Sequence, residues 1–118
     1  MATTEATITE QLCQFVKQYV DGYYCLELLR FFGCHPRTQF SELVIVNALN
    51  SKRGILSIKK ALRQLVDKKV VKVSVDNNIP LYSITEEESL RVLASKLANL
   101  DWYRWQLMVR QALSATAA

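Results

Sequence analysis

The apolar positions of this chain recur with two different periods. Over residues 8–21, Ile8, Leu12, Phe15, Val16, Tyr19 and Val20 return every three or four positions. That spacing places them on one stripe of an α-helix. Thr7, followed three residues later by Glu10, reads as a capping box at the start of that helix. Gly22 interrupts the pattern, and a second helical run, YYCLELLRFF, follows over 23–32. Gly33 suits the position just past a helix end, and Pro36 lies beyond it as a stop. A short extended piece is expected around Arg37–Phe40. Ser41 then caps a helix over 42–49, and NSKRG (50–54) has the composition of a turn. The next helix, 55–69, buries Ile58, Leu62, Leu65 and Val66. It turns Lys59, Lys60, Arg63, Gln64 and Asp67 outward.

At residue 70 the period falls from 3.6 to 2. Val71, Val73 and Val75 share one face of a strand, and Lys72, Ser74 and Asp76 share the other. Asn77 and Asn78 tolerate the positive φ of a tight hairpin turn, so IPLYSIT (79–85) is the return strand, and Pro80 marks an edge position in it. Thr85 caps a helix over 86–100, in which Leu90, Leu93, Leu97 and Leu100 keep helical spacing. Asp101 caps a last helix ending near residue 113. There is no internal repeat and no linker, so residues 1–118 read as one domain. It is mainly α with a small β-hairpin, an α+β fold.

Charge changes the picture. The chain has 15 Lys+Arg and 11 Asp+Glu, a net +4. Residues 51–72 hold eight of the basic residues and one Asp, a local +7, which leaves −3 for the rest. A basic block of this kind is the electrostatic footprint of a nucleic-acid surface. The apolar runs are too short for a membrane span, and the polar, acidic N-terminus is not that of a secretory leader. Three cysteines at irregular positions, Cys13, Cys25 and Cys34, argue against a disulfide framework and for a cytoplasmic location.

The segment FSELVIVNALNSKRGILSIKKALRQLVDKKVVKVSVDNNIPLYSIT (40–85) extends this reading. Its order of elements, with IKKALRQLVDKKVVKV running from a helix into a strand, resembles the winged helix-turn-helix domain of MarR- and PadR-like transcription regulators. The resemblance implies a winged helix-turn-helix core over 23–85, with the extra terminal helices 8–21 and 86–113 flanking it. It also implies sequence-specific binding of double-stranded DNA by a homodimer. Two departures stand out. Lys69 occupies a position where the family usually has Gly, and the wing is short with no Arg at its tip.

The residues themselves allow that chemistry. A recognition helix must bury one face and offer donors on the other. Lys59, Lys60, Arg63 and Gln64 are the expected major-groove set, because Arg pairs with guanine edges and Gln with adenine edges, and Ser57 in the first turn is counted with the DNA-binding residues. Ser51, Lys52 and Arg53 precede the helix, where backbone N–H groups already favour a phosphate. Lys72 would hold a phosphate from the wing strand, and Asn77 and Asn78 at the wing tip would reach a minor groove or a phosphate. Leu12, Phe15, Tyr19, Trp102, Trp105 and Met108 are the expected dimer interface, since aromatic and Met side chains are enriched at such surfaces. The alternative is a winged-helix protein-interaction module that binds its partner through the aromatic terminal helices.

Other chemistries find little support. Cys34 beside His35, the only His, lacks the three or four converging ligands of a metal site, and no spaced carboxylate pair or Gly-rich phosphate loop is present. No enzyme, metal or cofactor is expected; a small-molecule effector between the aromatic helices is left open, without support, because an aromatic stripe at helical spacing is more often core.

Overall fold

The computed structural model describes residues 3–49 and 54–117, with side chains described for 9–49 and 54–113. The elements are α1 (Thr3–Tyr19), α2 (Tyr23–Cys34), β1 (Phe40–Ser41), α3 (Glu42–Leu49), α4 (Ile55–Asp67), β2 (Val71–Asp76), β3 (Ile79–Ile84), α5 (Glu88–Ala98) and α6 (Trp102–Ala117). The three strands form one antiparallel sheet in the order β1-β3-β2. The described residues therefore form an α+β fold dominated by helices.

α2 is the spine. It packs against α4, α5 and α6, and α1 lies across α5 and α6. Leu26, Leu28, Leu29 and Phe32 of α2 are fully buried, together with Ile58 and Leu65 of α4 and Leu97 of α5. Each such side chain contributes roughly 1.5–3 kcal/mol by leaving water. Leu12, Phe15 and Val16 of α1 close the same core against Trp105, Met108 and Ala112 of α6. Arg30 of α2 lies over the Trp105 ring, 4.6 Å from its centroid.

Several local signals act as read. Gly22 has φ 102°, a conformation L side chains rarely adopt, and it turns the chain from α1 into α2. Ser41 Oγ accepts from the Val44 N–H at 3.3 Å, and Asp101 Oδ1 accepts from the Arg104 N–H at 2.8 Å, so both act as N-caps. Asn77 and Asn78 have φ 51° and 66°, the signature of a type I′ turn. They close a hairpin in which Asp76 pairs with Ile79.

Others are corrected. α1 starts at Thr3, so Thr7 lies inside the helix and is not its cap. The segment 3–7 has no large apolar residue to reveal its period. α2 continues through Gly33 to Cys34, so Gly33 does not end it. A Cβ at Gly33 would lie 2.2 Å from the Ala94 carbonyl oxygen, so this glycine permits the close approach of α2 and α5. β1 is only Phe40–Ser41. Thr85 Oγ1 accepts from the Glu87 N–H at 3.1 Å in a turn, and α5 begins two residues later than expected, at Glu88. Pro80 lies on the central strand. Because β1 reaches only Leu81 and Tyr82, Pro80 has a neighbour on one side alone and its missing N–H breaks no ladder. Val71 is buried, but Val73 and Val75 on the same face are exposed, because the hairpin extends beyond the helices.

α4 ends at Asp67, two residues before the expected end. Lys69 has φ 64°, the Lys69 N–H reaches the Val66 carbonyl at 3.0 Å, and the Val70 N–H reaches the Leu65 carbonyl at 3.0 Å. This is a Schellman closure in which a lysine occupies the left-handed site usually held by glycine.

Candidate functional site

α4 is the most amphipathic part of the basic segment. Ile58, Ala61, Leu62 and Leu65 seat it on the scaffold. Lys59, Lys60 and Arg63 lie at i, i+1 and i+4 and are all exposed. Among the described residues none of the three has an ion-pair partner. Ser57 and Leu56 are exposed in the first turn. Beside this row runs a narrow groove of about 120 Å³, lined by Glu42 of α3, Lys59, Leu62, Arg63 and Val66 of α4, and Val73 and Tyr82 of the hairpin. Ser51, Lys52 and Arg53 lie outside the described residues.

Gln64 does not share the outward row. It is half-buried, and its Oε1 accepts from the Cys25 thiol at 3.4 Å, so it faces α2. The same thiol lies 3.8 Å from the Ala61 carbonyl, and burial pushes its pKa up. The basic block is also less free than its formal charge suggests. Lys68 Nζ pairs with Asp21 Oδ2 at 3.0 Å. Lys72 Nζ pairs with Glu86 Oε1 at 2.6 Å. That lysine holds the Glu86 carboxyl below its usual range, by hydrogen bond first and by charge second.

Lys72 is moreover on the wrong side of the sheet for the α4 surface. It pairs with Ser83 in the ladder, whereas the adjacent Val73–Tyr82 pair faces the α4 groove. Alternation puts the two pairs on opposite faces. Asn77 and Asn78 are exposed at the hairpin tip.

Of the expected interface residues, Leu12, Phe15, Trp105 and Met108 are core residues of this same chain and offer no free surface. Tyr19 is half-buried, its ring tilted against that of Phe15 with centroids 5.4 Å apart. Trp102 alone is fully available, 75% exposed, with Tyr103 beside it at 73%. Cys34 and His35 are both exposed, and the His35 ring packs against Phe31 and Phe40. Among the described residues no group of His, Cys, Asp and Glu is placed to hold a metal ion, and no helix is long and apolar enough to cross a membrane. Compared with known proteins, the chain matches no family model, no curated protein and no solved structure.

Proposed function

We propose that this chain is a winged helix-turn-helix protein that binds double-stranded DNA through the outward face of α4 and acts as a cytoplasmic transcriptional regulator. The observation that carries the reading is the unpaired row Lys59, Lys60 and Arg63 on the helix that precedes the hairpin. The order α2-β1-α3-α4-β2-β3 and the sheet order β1-β3-β2 support it, because a winged helix presents its second helix of the pair to a major groove and its hairpin to the flanking backbone. The free cysteines are consistent with a reducing compartment. Two-fold pairing belongs to the same proposal. The side chains it would use are the exposed Trp102, Tyr103 and Leu113 of α6 rather than the four core residues.

The test is fluorescence anisotropy of the protein with a mixed-sequence duplex at several salt concentrations. Each phosphate neutralised adds about −0.9 to the log–log salt slope, so about five phosphate contacts give about −4.5. Lys60→Glu with Arg63→Glu abolishes binding while the far-ultraviolet circular dichroism is unchanged. Undiminished binding by that variant overturns the assignment. The exposed Trp102–Tyr103 pair favours one second reading, a protein-interaction module that docks through α6. A monomer by solution mass that ignores duplex DNA at low salt supports it.

A further inference from the structure

The sheet face opposite α4 carries a second basic site. A pocket of about 560 Å³ opens there, lined by Arg37 from the α2–β1 loop, Lys72 of β2, Ser83 of β3, Glu86 of the β3–α5 turn and Arg91 of α5, among others. Ser83 is 5% exposed, and its hydroxyl is the one buried side-chain polar atom without a partner among the described residues. An unsatisfied buried hydroxyl is uncommon and calls for a partner. Arg37 and Arg91 also line an adjoining hollow of about 220 Å³, so the two side chains flank the same opening. Neither makes an ion pair among the described residues. Lys72 is already held by Glu86, and Arg91 also acts on that carboxylate through space, so Arg37 and Arg91 are the two positive charges of the pocket in excess of the Lys72–Glu86 pair.

We propose that this pocket binds a small phosphate monoester, its phosphate between Arg37 and Arg91 and accepting a hydrogen bond from the Ser83 hydroxyl. The two excess cations match the dianion, and guanidinium forks suit phosphate oxygens. The polar lining leaves the ester's organic part in a wet, open hollow, which suits a short hydroxylated group rather than an apolar one. The site is separate from the α4 row. A duplex seated on α4 lies on the far side of the sheet, so the pocket is free for a soluble ligand whether or not DNA is bound.

The experiment is a nuclear magnetic resonance titration of the full chain with inorganic phosphate, then glycerol 3-phosphate, at constant ionic strength set with chloride. Saturable shifts confined to Arg37, Ser83, Arg91 and their neighbours are expected. Arg37→Ala and Arg91→Ala each weaken binding about tenfold or more. Ser83→Ala weakens it several-fold, while the ligand-free protein melts no lower than the parent, because the substitution removes an unsatisfied group. Shifts that never saturate, shifts centred on Lys59–Arg63, or unaltered affinity in both arginine variants overturn the site. Succinate binding as tightly as glycerol 3-phosphate overturns the phosphate assignment.

Discussion

Replacing Gly33 with alanine separates two rules that usually agree. In the interior of a helix, Gly→Ala stabilises by about 0.5–1 kcal/mol, through backbone entropy and propensity. Gly33 lies in the last turn of α2 and is buried, so the gain there is at most this. The added methyl, however, would lie 2.2 Å from the Ala94 oxygen, 2.7 Å from the Ala94 carbonyl carbon and 3.1 Å from the Ala98 Cβ. Carbon atoms in contact prefer roughly 3.5–4.0 Å. α5 would therefore have to retreat by about 1 Å along the seam where it meets α2. The obstructing atom is backbone, so no rotamer change relieves it, and trimming Ala98 to glycine does not rescue it. Overpacking of this kind costs about 1–3 kcal/mol, which outweighs the propensity gain. The expected result is a net loss of about 1–2 kcal/mol, read as a lower urea midpoint with an unchanged slope in an equilibrium unfolding experiment. The melting temperature should fall by roughly 4–10 °C. A Gly33→Ala protein as stable as its parent, or more so, would refute the close approach of the two helices.

Three further outcomes are expected. Lys69→Gly should stabilise by about 0.5–1 kcal/mol, since a lysine at φ 64° pays the left-handed penalty, partly offset by the freedom glycine adds to the unfolded chain; an unchanged urea midpoint counts against the Schellman closure. Tyr23 donates its hydroxyl proton to the Glu27 carboxylate, chiefly through which its pKa is pushed up from 10.0 to about 12. The folded state thus holds the proton more tightly, and this contact's contribution is complete below about pH 10 and lost as pH rises through about 12. Tyr23→Phe should remove the latest step of the tyrosinate absorbance titration, and persistence of that step would show the hydrogen bond is not made. Trp105→Ala should destabilise by about 3–5 kcal/mol, whereas Trp102→Ala, at an exposed position, should stay within about 0.5 kcal/mol in the monomer; comparable losses would mean Trp102 is covered.

The parts of this fold that were legible in the sequence rest on local causes. The change of period at residue 70, the Asn77–Asn78 turn and the Ser41 and Asp101 caps each depend on residues within one turn of chain. The role of Gly33 has no local signal because it is set by Ala94, distant in sequence and adjacent in space. Periodicity also cannot say what covers an apolar stripe. Leu12, Phe15, Trp105 and Met108 have the spacing and composition of an interface, yet they cover one another within one chain. The outward row of α4 was readable from helical phase, but Gln64 lies near the edge of that face, where its contact with Cys25 decides its direction. Lys72 needed Glu86, fourteen residues on, to reveal that its charge is occupied. The pocket around Ser83 has no sequence signal at all, because its wall comes from a loop, two strands and a helix.

The sheet order leaves β2 at an edge, and Val75 and Ile79 near its tip are 68% and 53% exposed. A bare edge with apolar side chains is a template on which another strand can add, and chains that keep such edges open invite self-association into extended ribbons. Here the edge is six residues long, with Lys72 second in the strand and Asp76 last, both on one face. Two like copies brought together antiparallel would set the Lys72–Glu86 pair of one against Asp76 of the other, while a parallel, in-register stack would set lysine on lysine and aspartate on aspartate. The hairpin thus opposes the fibrillar arrangement by charge, while leaving open the one antiparallel pairing that closes on itself.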